Sequence, residues 1–381
     1  MIFLYRYISL IIIFFLLFPL GCHSAPSVSA EAAIVIENSS GRAVCNKNAD
    51  KRMPMASTTK IMTAICAIEN TYPDKLITVN DAAVGIEGSS VYLAKGEKIT
   101  IKDLLYAMML NSGNDAATAL ACEVSGSVEK FSVLMNKTAQ RIGAKNTHFT
   151  NPSGLYEENH YTTASDLALI TSYALKNPLF SEIVSSKEKT ITNGDKDYPR
   201  NLRNHNKLLW QYDGCTGVKT GYTKKCGRCL VSSATRDGVE LTCVTLNAPD
   251  DWNDHKRLLD YGFSKCKEIC VAKESDYCMS VTLGKNNSQR VKLKFKDSLF
   301  FVRFSDKPNN VSITYHINEN VSFPLSEGES IGKACIYADG ILCSESELLC
   351  GESVICVEEK SFFRIFRAGL KAFFDLAVNS L

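Results

Sequence analysis

The chain has 381 residues, a formal net charge of +2 and 45% hydrophobic residues. That length accommodates two or three domains with a full core, and the near-neutral balance excludes the basic footprint of a nucleic-acid-binding protein. Fifteen cysteines lack the dense short spacing of a disulfide scaffold; many, such as Cys66, Cys122 and Cys243, sit in apolar runs where a free thiol packs as a small hydrophobe.

Residues 1–30 read as a secretory signal. Arg6 supplies the positive start, residues 8–20 are apolar, and Val28-Ser29-Ala30 offers small residues for cleavage. The apolar run is short for a membrane span, so cleavage near Ala30 and export are expected. Leu20-Gly21-Cys22 hints at a lipoprotein site, but Pro19 stands where a branched apolar residue is usual.

Two apolar runs, 32–36 and 42–45, flank Asn38-Ser39-Ser40-Gly41 and predict a β-hairpin. Pro54 and Ser57 are helix-start residues, and Ile61, Met62, Ile65 and Ile68 follow at helical spacing. Residues 71–101 are loop-rich, with strand-like pieces at 77–79 and 99–101. Helices are predicted over 101–110, over 116–124 with Asn114 or Asp115 as cap, over 127–142 and over 163–175. Ser112 and Asn114 thus fall in a tight interhelical loop, able to aim side chains into a cleft. Residues 187–210 are polar. Strands are expected around Val218 and Thr220, over 230–234 and over 239–246, the last two joined by the turn Arg236-Asp237-Gly238. Gly221 permits close approach of another backbone. A helix over 250–261 closes the region.

Cys226-Gly227-Arg228-Cys229 has redox or zinc spacing, but no second pair or ligand histidines accompany it, so no metal is expected. From about Cys270, short alternating runs punctuated by Asn, Gly, Pro and Ser predict a small all-β domain over 271–357. In the last segment, 361–381, Phe363, Phe366, Leu370, Phe373 and Ala377 share one helical stripe, opposite Arg364, Arg367, Lys371 and Asp375. That pattern suits a helix lying in a membrane interface, or one packed on the β domain; its terminal place and basic bias favour the membrane.

Three motifs stand in order: Ser57-x-x-Lys60, Ser112-Gly113-Asn114 and Lys219-Thr220-Gly221. Residues three apart on a helix share a face, so Ser57 and Lys60 can touch. A serine hydroxyl needs a base to become a nucleophile, and a lysine can serve only where burial or a neighbouring cation lowers its pKa. Taken singly each motif is weak: Ser112 is as readily a helix cap, Thr220 a plain strand residue and Asp166 a first-turn helix residue. Together, and in this order, the chain resembles the low-molecular-mass penicillin-binding proteins, the serine D-alanyl-D-alanine carboxypeptidases of peptidase family S11. The resemblance covers nearly the whole mature chain, including residues 54–63, 105–115, 149–155 and 218–223.

The resemblance implies an α+β fold: a β-lactamase/transpeptidase-like catalytic domain over 31–265, a mainly antiparallel sheet flanked by helices, followed by the all-β domain. It implies Ser57, Lys60 and Ser112 as catalytic residues and Asn114, Lys219, Thr220, Gly221 and Tyr222 as substrate-binding ones. Ser57 becomes an acyl-ester, Lys60 takes its proton, Ser112 relays a proton to the leaving amine, and Asn114 holds the substrate backbone. By the family pattern the N–H groups of Ser57 and Tyr222 form the oxyanion hole, and Lys219 and Thr220 face the substrate carboxylate. No cofactor or metal is implied. The partners implied are peptidoglycan stem peptides, β-lactam antibiotics as covalent inhibitors and a membrane surface under the C-terminal helix, with no nucleic acid; the place is the outer face of the cytoplasmic membrane or the cell wall. His148, His160 and His205 read as loop or surface histidines rather than catalytic bases. One departure stands out: an arginine that some members carry before the closing helix is absent from Ala248-Pro249-Asp250-Asp251, so carboxylate recognition leans on Lys219, Thr220 and either Arg203 or Lys207. Competing readings are a class A-like β-lactamase, a DD-endopeptidase acting on cross-links, and a non-catalytic wall-binding protein. The lactamase would need a Glu-x-x-x-Asn loop, and Glu157 and Glu158 are followed four residues on by Tyr161 and Thr162.

Overall fold

The computed structural model describes residues 25–354 apart from 192–198, 284–288, 306–309, 319–320 and 322. The apolar part of the expected leader and the amphipathic segment 361–381 lie outside the described residues.

Strands β1 (Ala32–Glu37) and β2 (Ala43–Lys47) form the expected hairpin. A 3-10 turn, Ala56–Thr59, then runs straight into α1 (Lys60–Asn70). Short strands β3 (Leu76–Thr78) and β4 (Lys98–Thr100) pair across a long loop. Helices α2 (Ile101–Leu110), α3 (Asn114–Ser125), α4 (Val128–Ile142), α5 (Ala164–Leu175) and α6 (Pro178–Ser185) follow. A second small hairpin, β5 (Glu188–Ile191) with β6 (Arg200–Arg203), and the single turn α7 (Leu208–Gln211) lead to three long strands, β7 (Cys215–Thr223), β8 (Gly227–Arg236) and β9 (Val239–Leu246), and to α8 (Asp251–Lys265).

The large sheet is five-stranded and antiparallel, in the order β2-β1-β9-β8-β7. Every residue of β1 is buried, because the sheet has apolar cover on both faces. Ile34 and Ile36 join the core under α1–α6, whereas Ala33 and Val35 join a second core with Leu258 and Leu259 of α8. Side chains alternate across a strand, so one run of apolar residues serves both layers. The fold is therefore α+β, a sheet between two helical layers.

The helix boundaries differ from the sequence reading in instructive ways. Ser57 lies inside the 3-10 turn rather than capping a helix. Helix α3 begins at Asn114 with Gly113 as its N-cap, two residues earlier than expected. Helix α6 was missed, although Asn177 caps it and Pro178 opens it. Ser29 and Ala30, expected to depart with the leader, are built into the fold: the Asp254 carboxylate accepts from Ser29 N (2.9 Å), Ser29 Oγ (2.7 Å) and Ala30 N (3.1 Å).

Beyond α8 the described chain is all β. Strand β10 (Cys266–Ala272) pairs with β13 (Leu299–Phe304). Strands β11 (Tyr277–Leu283), β12 (Gln289–Phe295), β14 (Val311–Ile317), β15 (Ser330–Ala338) and β16 (Ile341–Cys350) form a five-stranded sheet in the order β11-β12-β16-β15-β14. Their core gathers Val291, Leu293, Leu299, Ile331, Ile336 and Leu348. Strands β10 and β16 were not expected from the sequence; β10 follows α8 without a loop, and the middle of β16 is the polar run Ser344-Glu345-Ser346-Glu347. Arg42, in the turn between β1 and β2, pairs with Asp339 and covers the Phe304 ring at 4.4 Å, which ties the two parts. The thirteen cysteines among the described residues are free thiols.

His255 of α8 is fully buried against the sheet, between Ser232 Oγ (2.5 Å from Nδ1) and Thr245 Oγ1 (2.9 Å from Nε2). Burial pushes its pKa down to about 3. The unfolded chain takes this proton below about pH 6.5 and the folded chain does not, so stability falls as pH drops through that window, by about 1.4 kcal/mol per unit. Urea unfolding at pH 7 and pH 5 tests this: the loss of stability between the two is expected to be smaller by about 2 kcal/mol in His255→Gln than in the parent.

Candidate active site

The turn Met55–Lys60 fixes the geometry. Ala56 is held at φ +49°, a left-handed backbone that a residue with a Cβ adopts only under constraint. The constraint is local: Thr58 Oγ1 donates to Met55 O (2.6 Å) and Thr59 Oγ1 to Ala56 O (2.8 Å). Lys60 follows one turn after Ser57, its own N–H donating back to the carbonyls of Ser57 and Thr58.

Lys60 is completely buried, and three oxygens surround its Nζ. They are Ser57 Oγ at 3.0 Å, Asn114 Oδ1 at 2.7 Å and the Ser153 carbonyl at 2.6 Å. Burial, and next the charge of Lys219, hold the Lys60 pKa well below that of a free amine, while Asp115 pulls the other way. The first two motifs of the sequence therefore meet on one nitrogen. Asn114 is engaged at both ends, since its Nδ2 donates to Glu87 O at 2.6 Å; an amide read as a substrate contact is first of all a clamp on Lys60. Ser112, buried and held at φ +60°, lies two residues before it at the C-cap end of α2.

Around this centre the loops are pinned by buried polar groups. The Asp115 carboxylate accepts from Ser90 Oγ (2.6 Å), Val91 N (3.0 Å) and Leu93 N (3.1 Å), fixing the loop that carries Glu87. Loop 151–154 is shaped by Asn151, whose Oδ1 accepts from Ser153 N (3.2 Å) and Gly154 N (2.8 Å). Gly154 stands at φ +84°, and a Cβ there would fall 1.9 Å from the Ala56 carbonyl oxygen. His160 is not a surface residue as the sequence suggested; it is buried. Its Nδ1 accepts from Thr150 N (3.1 Å), which leaves Nε2 to donate to Thr59 Oγ1 (2.8 Å) on the Ser57 turn. Burial holds its pKa down at about 4, so it stays neutral.

The third motif lies on β7, the edge strand of the sheet. An edge strand keeps alternate main-chain groups free to pair with another extended chain. Gly221 packs against the Ser57 turn so closely that a Cβ would sit 3.0 Å from Ser57 N and 3.2 Å from Met55 O. Lys219 is buried beside Lys60, its Nζ donating to the Thr220 carbonyl (3.0 Å), and burial lowers its pKa to about 7. Thr220 is half-buried and Tyr222 exposed. Of the two side chains proposed to join Lys219, Arg203 pairs with Glu188 (3.6 Å) and lies over Trp210, and no contact connects Lys207 to the site. Arg203 reaches the Ser112 loop only through its main chain, its N–H donating to Asn111 Oδ1 (3.0 Å), and His205 approaches as well. Its N–H donates to Leu110 O (3.3 Å), next to the Ser112 loop, and burial together with the Lys219 charge lowers its pKa. Sequence reasoning set it aside because a lone histidine in a polar stretch carries no spacing signal. No group of three or more His, Cys, Asp or Glu among the described residues is placed to hold a metal.

Residues 21–250 match the family model of D-alanyl-D-alanine carboxypeptidase, and residues 268–355 match that of the penicillin-binding protein 5 C-terminal domain. The chain belongs to the D-alanyl-D-alanine carboxypeptidase family. It is 32% identical to D-alanyl-D-alanine carboxypeptidase DacF of Bacillus subtilis over 335 residues, covering 85% of this chain and 86% of that one. It is 31% identical to DacC of Escherichia coli, covering 89% and 87%. Among solved structures, penicillin-binding protein 5 of Haemophilus influenzae superposes with a TM-score of 0.64 at 28% identity, over 87% of this chain and 99% of that one. The catalytic part is thus the β-lactamase-like fold of the carboxypeptidases, and the β part their C-terminal domain.

Within this carboxypeptidase the Gly154 contact offers a direct check. Gly154→Ala must shift the Ala56 carbonyl, and is expected to cost about 3 kcal/mol of stability and to slow acylation of Ser57. A thermal melt and the rate of labelling by a fluorescent penicillin read the two effects.

Proposed function

We propose that this enzyme removes the terminal D-alanine from peptidoglycan stem peptides through an acyl-enzyme on Ser57. The single observation that carries the reading is the trio of oxygens around Lys60 Nζ. A neutral amine has two hydrogens and one lone pair. Asn114 Oδ1 and the Ser153 carbonyl take both hydrogens, so the lone pair faces Ser57 Oγ. That is the geometry of a general base, for which burial and a nearby cation lower the pKa.

The chemistry follows. Lys60 Nζ accepts the Ser57 proton as Oγ attacks the penultimate carbonyl carbon. The N–H groups of Ser57 and Tyr222 face the developing oxyanion, each such donor contributing about 10²–10³ in rate. The C–N bond then breaks, and Ser112 passes the proton from Lys60 to the leaving amine. D-alanine departs, water attacks the ester, and Lys60 receives the proton of that water before returning it to Ser57. Asn114 positions Lys60. The edge of β7, at Gly221 and Tyr222, pairs with the extended peptide, while Lys219, Thr220 and His205 face its terminal carboxylate. A bound carboxylate favours the protonated form of Lys219, so the substrate restores the charge that burial weakens.

A β-lactam acylates the same oxygen. The competing lactamase reading needs a Glu-x-x-x-Asn loop to drive deacylation, and Glu157 and Glu158 are followed four residues on by Tyr161 and Thr162. A long-lived adduct is therefore expected: mass spectrometry after benzylpenicillin shows one covalent addition, absent from Ser57→Ala, and rapid penicillin turnover would instead make this a lactamase. D-alanine release from a pentapeptide is expected to fall at least 10³-fold in Lys60→Met.

The lysine pair makes a separate expectation for pH. Lys219 lowers the Lys60 pKa, so its removal raises it. In Lys219→Gln the acid limb of the acylation rate, read by penicillin labelling from pH 5 to 10, moves to higher pH. An unmoved limb would mean that Lys60 does not sense Lys219.

We further infer a catalytic unit over 31–265, a β unit over 271–357, a leader within residues 1–30 and a membrane-lying helix over 361–381. The contacts of Ser29 and Ala30 with Asp254 support a cleavage point upstream of Ser29. On this reading the enzyme works at the outer face of the cytoplasmic membrane or in the cell wall.

A further inference from the structure

One buried ion pair near the catalytic centre belongs to none of the three motifs. Arg200 opens β6, and Glu97 stands just before β4. Their side chains are only 9% and 4% exposed. The guanidinium works as a fork. Nη1 and Nη2 both donate to the Glu97 carboxylate, Nη2 at 2.7 Å. Nε donates to Val91 O (3.0 Å) and Nη2 to Tyr92 O (3.2 Å). A planar guanidinium can address these oxygens together, whereas a lysine ammonium is a single point of charge.

The same stretch of main chain is held from its other side. The Asp115 carboxylate accepts from Val91 N (3.0 Å) and Leu93 N (3.1 Å). A carboxylate thus takes the donors of residues 91–93 and a guanidinium takes the carbonyls of Val91 and Tyr92. Between them Tyr92 stands at φ +58°, a left-handed angle that a tyrosine adopts only under constraint. Its side chain is 82% exposed, so packing of the ring does not impose that angle; the charged groups on its main chain do. From this fixed stretch the loop leads back to the base. Ser89 O accepts from Asn114 N (2.7 Å) and Glu87 O from Asn114 Nδ2 (2.6 Å). Asn114 Oδ1 in turn accepts from Lys60 Nζ (2.7 Å). A shift of the loop is therefore a shift of the group that aims Lys60. As a source of stability the Arg200–Glu97 pair is weak, because taking both charges out of water offsets their attraction. What it supplies is placement.

We propose that Arg200 is a positioning residue for acylation. With Glu97 it locks the 87–93 loop, and through Glu87 O and Asn114 it keeps Lys60 Nζ in line with Ser57 Oγ. This rests on the reading of Lys60 as the base. Once the loop moves, Asn114 loses its anchor and the Lys60 lone pair loses its aim.

The test is the rate of Ser57 acylation by a fluorescent penicillin, corrected for the folded fraction of each protein. Arg200→Met and Glu97→Met are made together, so that neither leaves a buried charge behind. In that paired variant the melting temperature is expected to stay close to the parent's and the rate to fall by about tenfold or more. Arg200→Lys keeps the charge but not the fork; it is expected to slow acylation by about threefold or more, and it decides the matter should the paired variant fail to fold. The route is read from a cycle with Asn114→Ala. If Arg200 acts through Asn114, adding the folded Arg200 substitution to Asn114→Ala lowers the rate by less than about twofold further. A pair that served the fold alone would leave the corrected rate unchanged, and one that acted by another route would lower it by the same factor in both backgrounds. Either result would overturn the proposal. A parent that forms no adduct would overturn the Ser57 reading, and this one with it, whereas a loss confined to the variants bears on Arg200 alone.

Discussion

Everything at the catalytic centre depends on keeping one lysine amine out of water. A lysine taken wholly into a protein loses several kcal/mol of hydration unless its hydrogens are satisfied. Here Asn114 Oδ1 and the Ser153 carbonyl satisfy two of them, and the remaining position falls on Ser57 Oγ. The same contacts that make the burial tolerable therefore aim the amine. They also join three segments distant in sequence: the turn before α1, the start of α3 and loop 151–154.

The surroundings are built to hold those three segments still. Asp115 ties down the 87–93 loop, Asn151 shapes the turn at Gly154, and neutral His160 donates to the Thr59 hydroxyl beside the nucleophile. Ala56 and Ser112 hold left-handed backbone angles that cost stability and persist only because this packing over-determines them. A mobile site would relax that strain and lose the line from nitrogen to oxygen. Two lysines side by side add a second tension. Each is lowered by burial, and Lys219 lowers Lys60 further.

The sheet separates this chemistry from the opposite end of the molecule. Apolar residues alternate from one face of β1 to the other, so the strands are held from both sides and transmit no slack. At the far end, Arg42 meets Asp339 and Phe304, which joins the sheet to the β part.

The sequence by itself determined the family and the order of its motifs. Ser57 and Lys60 are one turn apart on any helix, and Ser112, Asn114 and Lys219 carried enough spacing to name the family. Most helices were legible too, because Thr100, Ser127 and Thr163 cap them through bonds made within a few residues. What the tertiary structure alone decided were contacts between residues far apart in the chain. The Ser153 carbonyl is main chain and has no sequence signal. His160 and His205 look like ordinary loop histidines until one is buried beneath the Ser57 turn and the other brought to Lys219. Strand β10 merged unseen with the end of α8, and Ser29 and Ala30 looked disposable until Asp254 reached them across 224 residues of chain. Local periodicity and caps can be read from neighbours, whereas burial and long-range hydrogen bonds exist only once the chain has closed on itself.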